Sequence, residues 1–194
     1  VVLNPPAVFS SNTSTLPITG LAKNSARPKN FIGIHFFSPV DRMMLVEIIL
    51  GKKTGDKALA TAIDYVRAIK KTPIVVNDTR GFYVNRCVLR YMSEAYKMLI
   101  EGVPAPMIEN AAKAAGMPVG PLALTDETAV DLAQKIMKQT VRDLGEKAVD
   151  PQQMALIDTL ADKHGRFGRK NGKGFYDYPP KPAKKKLWPG FKDL

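Results

Sequence analysis

The sequence is poor in cysteine, histidine and long apolar runs, and each shortage excludes a class of protein. Cys87 is the only cysteine, so an intramolecular disulfide framework is excluded and a reducing compartment is indicated. His35 and His164 are the only histidines, which leaves a Cys/His zinc site almost without ligands, and we predict no metal site. No stretch approaches the roughly 20 apolar residues of a transmembrane helix, so we predict no membrane span.

A glycine-rich phosphate loop is also missing. Gly165–Gly174 follows a helical pattern instead of a strand, and its spacing is not G-x-G-x-x-G. Gly51–Gly55 likewise lacks the spacing of a P-loop. We interpret both segments as turns. The chain also begins without an initiator Met or a secretory signal, and we expect it to be a piece of a longer polypeptide.

Positive charge is abundant, but it is unevenly distributed. Ten Lys/Arg and two Asp lie between Lys163 and Leu194, which gives +8 of the net +11 and leaves about +3 for the rest. The excess therefore lies in one Pro/Lys-rich stretch, and residues 179–194 are interpreted as a basic linker or tail. We predict no nucleic-acid partner, although a modest attraction for phosphate-bearing ligands fits the charge.

The first part of the chain has the pattern of an α/β sheet domain. Short β-branched and aromatic runs predict strands, and apolar residues at helical spacing from Asp56 to Lys71 predict a helix with Asp56 as its N-cap. The pattern is typical of the C-terminal part of a Rossmann-like domain, over residues 1–77. The predicted strands are Ala7–Ser11, Phe31–Phe37, Leu45–Leu50 and Thr72–Val76.

The second part, residues 78–178, is predicted to be an all-α domain. Its expected helices end at glycines, and the last of them begins with an Asp-Pro pair that suits an N-cap and first helical position. The predicted helices are Phe82–Glu101, Pro106–Ala115, one capped by Thr125 or Asp126 and stopped by Gly145, and one from Asp150 to near Gly165.

Two polar residues lie inside predicted apolar strands. His35 lies among Ile34, Phe36 and Phe37, and Glu47 lies in the next strand. A buried carboxylate is costly unless it is paired, and the histidine is a suitable partner. A glutamate that accepts from one ring nitrogen fixes the tautomer and leaves the other nitrogen as a base. Taken singly, a hydrogen-bonded core histidine and an exposed edge-strand glutamate are the simpler interpretations.

Several motifs, in order along the chain to about Tyr178, resemble the 3-hydroxyacyl-CoA dehydrogenase family. They occur at consistent spacing, which makes the resemblance more specific than any single motif. The motifs are Ser11-Asn12-Thr13-Ser14, His35-Phe36-Phe37-Ser38-Pro39-Val40, Leu45-Val46-Glu47-Ile48, Gly81-Phe82-Tyr83-Val84-Asn85-Arg86 and Gly120-Pro121-Leu122 followed by Leu124 and Asp126.

The resemblance implies a role for five residues. His35 is implied to be the catalytic base and Glu47 the residue that orients it. Ser14 is implied to contact substrate and cofactor, and Asn85 to reach the substrate from the start of the helical domain. Ser38 is implied to contact the cofactor, at a position where the family usually has the longer Asn. Without the resemblance, Ser14 is a turn residue and Asn85 an early-helix polar residue.

The resemblance also implies an activity: oxidation of (S)-3-hydroxyacyl-CoA to 3-oxoacyl-CoA with NAD in fatty-acid β-oxidation. Its implied partners are an acyl-CoA substrate and a second copy, bound through the helical domain. The family's NAD loop would precede Val1, so we expect this chain to be inactive alone. The extension beyond Tyr178 resembles multifunctional fatty-acid oxidation polypeptides. The expected compartment is the bacterial cytoplasm, or mitochondria or peroxisomes in a eukaryote.

Two other classes remain open from the residues alone. The apolar stripe from Val84 to Met98 also suits a non-catalytic helical dimerisation module. The basic terminal stretch also suits a nucleic-acid-binding fragment, which would bind in a strongly salt-dependent way. Neither alternative accounts for the order of the motifs.

Overall fold

A computed structural model describes residues 7–193 of the chain. Contacts divide the chain into two units, with the boundary between Val88 and Leu89. We call them the α/β unit and the helical unit. The predicted first domain and terminal tail begin at Val1 and end at Leu194, and these two ends lie outside the described residues.

The α/β unit is built on a four-stranded sheet with the order β1-β2-β3-β4. The β1–β2 and β3–β4 pairs are parallel, and the central β2–β3 pair is antiparallel. Because β1 and β2 run in the same direction, both end at one edge of the sheet, which we call the β1–β2 carboxyl edge. The elements are β1 (Phe9–Ser11), α1 (Ile18–Ala22), β2 (Phe31–Phe36), β3 (Leu45–Leu50), α2 (Asp56–Ala68), β4 (Thr72–Asn77) and the start of α3 (Val84–Ile100), with a 3₁₀ turn at Pro28–Asn30.

Alternation along β2 and β3 separates two buried faces of this sheet. One face packs against α2 through Ile32, Ile34, Val46 and Ile48, with Ala62 and Val66 of the helix. The opposite face packs against α1 and Phe82, through a cluster of Ile18, Ala22, Phe31, Ile49 and Phe82. His35 and Glu47 alternate with the first set, so they lie on the second face.

The helical unit contains most of the helices and one short β-ribbon. Its two strands, β5 and β6, are antiparallel, with Tyr176 opposite Leu187. The elements are the rest of α3, α4 (Ala105–Ala114), α5 (Pro121–Thr128), α6 (Val130–Leu144), α7 (Pro151–Asp158), β5 (Tyr176–Asp177) and β6 (Lys186–Leu187), a π-turn at Thr159–Lys163, and 3₁₀ turns at Glu146–Ala148, Arg169–Asn171 and Pro189–Asp193.

The predicted fold class is confirmed: part of a Rossmann-like α/β domain precedes a mainly helical region. Two predicted caps are wrong. Gly55 is the N-cap of α2, and Asp56 is its first helical residue without a capping hydrogen bond. Thr125 and Asp126 lie buried inside a separate helix, α5, because the chain breaks only at Ala129, where φ is 83°. The predicted cap by Asp150 is confirmed, since its carboxylate accepts from the Gln152 N–H.

The segment predicted to be a linker or tail contains ordered structure. Its lysines Lys184, Lys185 and Lys186 are exposed, as expected for solvated charge. Strand β6 nevertheless pairs with β5, and the Trp188 ring lies 4.4 Å from the Arg166 guanidinium. Composition did not predict these contacts, because they join residues that are not neighbours in the sequence, such as Trp188 and Arg166.

Within residues 7–193, no helix combines the length and the apolar character needed to cross a membrane.

Candidate active site

The centre of the site is a cross-strand pair between His35 and Glu47. The two residues stand directly opposite each other in the β2–β3 register. The Nδ1 atom of His35 lies 2.8 Å from Oε2 of Glu47. Both are buried, with 5% and 0% of their surface exposed. The predicted pairing of these two residues is therefore confirmed, while their catalytic roles stay a prediction.

The second carboxylate oxygen of Glu47 is bound at the start of α3. Oε1 accepts from the main-chain N–H of Tyr83 at 3.0 Å and of Val84 at 2.8 Å. These N–H groups belong to the helix N-terminus, where no earlier carbonyl is available to accept from them. Glu47 therefore holds the histidine ring with one oxygen and the first turn of α3 with the other.

These contacts decide the charge of Glu47. Burial alone would raise the pKa of its carboxyl group, but the hydrogen bonds from His35, Val84 and Tyr83 outweigh burial and hold the pKa below its ordinary value. Glu47 is thus ionised at neutral pH and can only accept hydrogen bonds. It follows that Nδ1 of His35 donates to Glu47, and that in the neutral imidazole the free lone pair is on Nε2.

Aromatic rings surround the histidine. The Phe37 ring lies 4.5 Å from the His35 ring between centroids, and the Phe82 ring lies 5.9 Å away. Phe82 is 1% exposed and has a φ of 52°. These rings restrict the orientations open to the imidazole and keep water from most of its surface.

Asn85 and Ser14 are also brought together. The Asn85 Nδ2 donates to the main-chain carbonyl of Ser14 at 3.0 Å. Ser14 is exposed, and its hydroxyl makes no hydrogen bond within the described part of the chain. Asn85 follows Val84 by one residue, so the helix turn held by Glu47 also carries the amide that holds the Ser14 loop.

Ser38 lies at the β1–β2 carboxyl edge but does not contact the other predicted site residues through hydrogen bonds. It lies two residues beyond the end of β2 and is exposed. Within residues 7–193 it makes no hydrogen bond to His35, Glu47, Ser14 or Asn85. Its predicted cofactor contact stays a prediction.

Two further residues make long-range contacts in the α/β unit, and the sequence reasoning gave neither of them a role. Asn12 Oδ1 accepts from the Phe36 N–H at 2.9 Å. The Asp78 carboxylate accepts from the N–H groups of Ile18 and Thr19, each at 2.7 Å. A polar residue directly after a predicted strand was the only available signal, and it does not identify a partner so distant in the chain.

The glycine-rich segment Gly165–Gly174 binds a carboxylate of this chain. A side chain on Gly174 would lie 1.9 Å from Oδ1 of Asp126, and one on Gly168 would lie 2.5 Å from the Asp126 carbonyl. The following N–H groups, of Phe175 and Tyr176, donate to Asp126 at 2.7 and 2.8 Å. The space that a phosphate loop would keep open is therefore filled.

No group of three or more His, Cys, Asp or Glu side chains within residues 7–193 could hold a metal ion. The fold and the site together define a class: an α/β nucleotide-binding type of domain whose sheet edge presents a histidine oriented by an ionised glutamate, followed by a helical domain.

Comparison with known families agrees with this class and makes it specific. The NAD binding domain of 3-hydroxyacyl-CoA dehydrogenase matches residues 1–79. The C-terminal domain of the same enzyme matches residues 81–178. The chain belongs to the 3-hydroxyacyl-CoA dehydrogenase family.

Curated relatives include the fatty acid oxidation complex subunit alpha of Shewanella frigidimarina, 47% identical over 180 residues, which cover 93% of this chain and 25% of the relative. The subunit of the same name from Vibrio cholerae is 46% identical over 182 residues, covering 94% and 25%. The chain thus spans about a quarter of the length of these relatives.

Two solved structures share the fold. The (S)-3-hydroxybutyryl-CoA dehydrogenase of Ralstonia eutropha is 35% identical, with a TM-score of 0.78 over 89% of this chain and 61% of that one. The 3-hydroxybutyryl-CoA dehydrogenase of Escherichia coli is 31% identical, with a TM-score of 0.76 over 93% and 38%.

Proposed function

We propose that the polypeptide containing this chain oxidises (S)-3-hydroxyacyl-CoA to 3-oxoacyl-CoA with NAD, as a step of fatty-acid β-oxidation. The observation that supports this most directly is the buried His35–Glu47 hydrogen bond at 2.8 Å. It fixes the ring through Nδ1, so that Nε2 of the neutral imidazole is the nitrogen that can act as a general base. The names of the related proteins supply the substrate class.

His35 serves as the base in this proposal. Removing hydride from the alcohol carbon requires that the hydroxyl proton leave as the carbonyl forms. Nε2 accepts that proton, and the resulting imidazolium is stabilised by the Glu47 carboxylate at Nδ1. A positioned base of this kind contributes a rate factor of roughly 10²–10⁴.

Ser14, Asn85 and Ser38 are proposed to position the reactants. The free hydroxyl of Ser14 supplies a hydrogen bond to substrate and cofactor, and Asn85 contacts the substrate while it holds the Ser14 carbonyl. The exposed hydroxyl of Ser38 faces solvent at the same edge and is available to the cofactor.

The residues present fit the reacting end of a nicotinamide cofactor. The carboxyl ends of parallel strands are where such folds bind nucleotides, and the Ser14 and Ser38 hydroxyls lie there. The glycine turn that binds the diphosphate is not found among the 194 residues. NAD, when bound, accepts the hydride.

We further propose the domain division 1–77, 78–178 and 179–194.

We also propose that a second copy of the chain binds through the helical domain. Exposed apolar side chains on α3, namely Leu89, Met98 and Ile100, support the self-association. Sedimentation velocity tests it, and a monomer at every accessible concentration would contradict it. We propose no nucleic-acid partner. The proposed compartment is the cytoplasm in a bacterium, since the curated relatives named above are bacterial, or mitochondria or peroxisomes in a eukaryote.

The deciding experiment is NADH oxidation with acetoacetyl-CoA. It is run in the longest natural polypeptide that carries these 194 residues, because the relatives are about four times longer. We expect His35→Ala to lose activity while its circular dichroism spectrum stays unchanged. Equal activity in both proteins would remove His35 from the mechanism, and no activity in either would favour a non-catalytic dimerisation module.

A further inference from the structure

The loop that carries Ser14 leaves the sheet before it reaches the level of His35. Main-chain pairing between β1 and β2 runs from Phe9 opposite Phe31 to Ser11 opposite Gly33, and ends there. His35 lies two residues further along β2. The backbone ladder therefore does not fix the distance between the Ser14 loop and the strand that carries the base.

The loop has internal hydrogen bonds that maintain its shape. The Thr13 N–H donates to the Ser11 hydroxyl at 3.3 Å, and the Leu16 N–H donates to the Thr13 hydroxyl at 3.0 Å. Such bonds connect neighbouring residues, so they do not determine where the loop lies relative to β2.

One side chain spans the gap between the loop and β2. Asn12 Oδ1 accepts at 2.9 Å from the N–H of Phe36, the residue after His35. It supplies the acceptor that another residue of β1 would have supplied if the strand continued. On its other side the loop is held by Asn85, whose amide donates to the Ser14 carbonyl.

We propose that Asn12 is a positioning residue, which sets the placement of the Ser14 hydroxyl against Nε2 of His35. It acts through the Phe36 N–H and touches neither substrate nor cofactor. The proposal rests on the proposed function, because it assigns Asn12 a part in the same reaction. An error of about 1 Å in such a placement costs roughly a hundredfold in rate.

The chain offers a matched control at the opposite end of the same strand pair. Asn30 precedes β2, and its Nδ2 donates to the main-chain carbonyl of Ala7, which precedes β1, at 3.3 Å. Both asparagines thus connect the β1 segment to the β2 segment through one hydrogen bond to the main chain. Only Asn12 does so at the β1–β2 carboxyl edge.

The test compares Asn12→Ala, Asn12→Asp and Asn30→Ala in the NADH oxidation assay described above. Asn12→Asp keeps an oxygen acceptor for Phe36, whereas Asn12→Ala has none. We expect kcat to fall about tenfold to a hundredfold in Asn12→Ala, with KM for acetoacetyl-CoA changed by less than about twofold. We expect Asn12→Asp to recover most of kcat and Asn30→Ala to keep it.

Wild-type kcat in Asn12→Ala overturns the proposal, as does an equal loss in Asn30→Ala or a failure of Asn12→Asp to recover activity. An inactive wild-type protein would instead contradict the proposed function. In that case amide hydrogen exchange in the 194-residue chain decides about Asn12 alone. Faster exchange of the Phe36 N–H in Asn12→Ala, with wild-type exchange in Asn30→Ala, supports the positioning contact, and unchanged exchange in both excludes it.

Discussion

Glu47 in the α/β unit and Asp126 in the helical unit hold the chain in the same way. Both are buried, with 0% and 1% of their surface exposed. Each accepts hydrogen bonds from two consecutive main-chain N–H groups and from one side chain. For Glu47 these donors are Tyr83, Val84 and His35, and for Asp126 they are Phe175, Tyr176 and Tyr178.

The pKa values of the two carboxylates are shifted in opposite directions. Burial raises the pKa of Asp126 to about 6, although the Phe175, Tyr176 and Tyr178 donors and the nearby Arg166 charge act against it. Burial also acts on Glu47, but there the donors prevail and the pKa falls below its ordinary value. One reason is the third donor, because an imidazole can become a cation, whereas the phenol of Tyr178 stays neutral.

The difference separates two uses of one arrangement. A carboxylate beside an imidazole stays ionised and holds the ring in one tautomer, as the proposed general base requires. A carboxylate beside a phenol, bound by a glycine-rich segment, is close to half protonated near pH 6 and serves to fasten two parts of the helical unit together. Glu47 and Asp126 accept the same number of hydrogen bonds, so this number alone does not determine what a buried acid does.

The largest effect is expected from Glu47→Gln on catalysis. The glutamine oxygen can still accept from the Tyr83 and Val84 N–H groups, but its NH₂ group then faces Nδ1 of His35. Nδ1 must accept, so the ring proton moves to Nε2 and the base is lost, at a cost of roughly 10²–10⁴ in kcat. The measurement is kcat for NADH oxidation alongside the urea midpoint. A variant with wild-type kcat would show that the tautomer does not matter.

Asp126→Ala is expected to act on stability, by about 4 kcal/mol, because two main-chain N–H groups and one hydroxyl lose their acceptor in a buried site. Asp126→Asn, which keeps one oxygen acceptor, should cost less. Urea unfolding followed by circular dichroism measures both. If Asp126→Ala and Asp126→Asn were equally stable, the hydrogen bonds to Asp126 would contribute little to stability. The proposed likeness between Asp126 and Glu47 would then be wrong.

The pH dependence of stability should have opposite signs for the two acids. Asp126 has a raised pKa, so its contribution is present below its ordinary pKa of 3.8 and is lost as pH rises through about 6. Glu47 has a lowered pKa, so its contribution is present above 4.5 and is lost as pH falls through the lowered value.

Unfolding free energies of wild type, Asp126→Asn and Glu47→Gln between pH 3 and 7 check these signs. Wild type should lose up to about 3 kcal/mol relative to Asp126→Asn as pH rises from about 4 to 6, since one pKa unit corresponds to about 1.4 kcal/mol. Relative to Glu47→Gln, wild type should gain as pH rises from 3 towards 4.5, above which the Glu47 contribution is complete. Curves of the same sign would contradict the assignment.

The smallest effect is expected at Asp150, a half-buried residue whose carboxylate accepts from one main-chain N–H, that of Gln152, at 2.9 Å, and from the Gln153 amide at 3.3 Å. Asp150→Ala should cost about 1 kcal/mol, the usual value of an N-cap. Thermal unfolding gives the number, with Asp150→Ser as the control that keeps a capping oxygen. A cost as large as that of Asp126→Ala would mean that burial is not what distinguishes these sites.

The sequence predicted those features that depend on local periodicity. The apolar runs around His35 and Glu47 located β2 and β3 to within one residue. Their pairing followed from the cost of burying a lone carboxylate, and the cap at Asp150 followed from its Asp-Pro context.

The same reasoning could not predict contacts between residues that are far apart in the sequence. Asp126 looked like a helix cap because Asp is a common cap, yet it lies inside α5 and its partners are 49 and 50 residues away. The Asn12 contact with Phe36 spans 24 residues, and the Asp78 contacts with Ile18 and Thr19 span about 60. Nothing in the local spacing marks such partners, because only the folded topology brings them close.

The contact between Trp188 and Arg166 has a practical consequence for spectroscopy. Trp188 is the only tryptophan of the chain, and its ring lies 4.4 Å from the Arg166 guanidinium and 4.9 Å from the His164 ring. Its intrinsic fluorescence therefore reports on one place in the helical unit. A fluorescence melting curve would report the loss of structure around Trp188 and would not report directly on the sheet that holds His35.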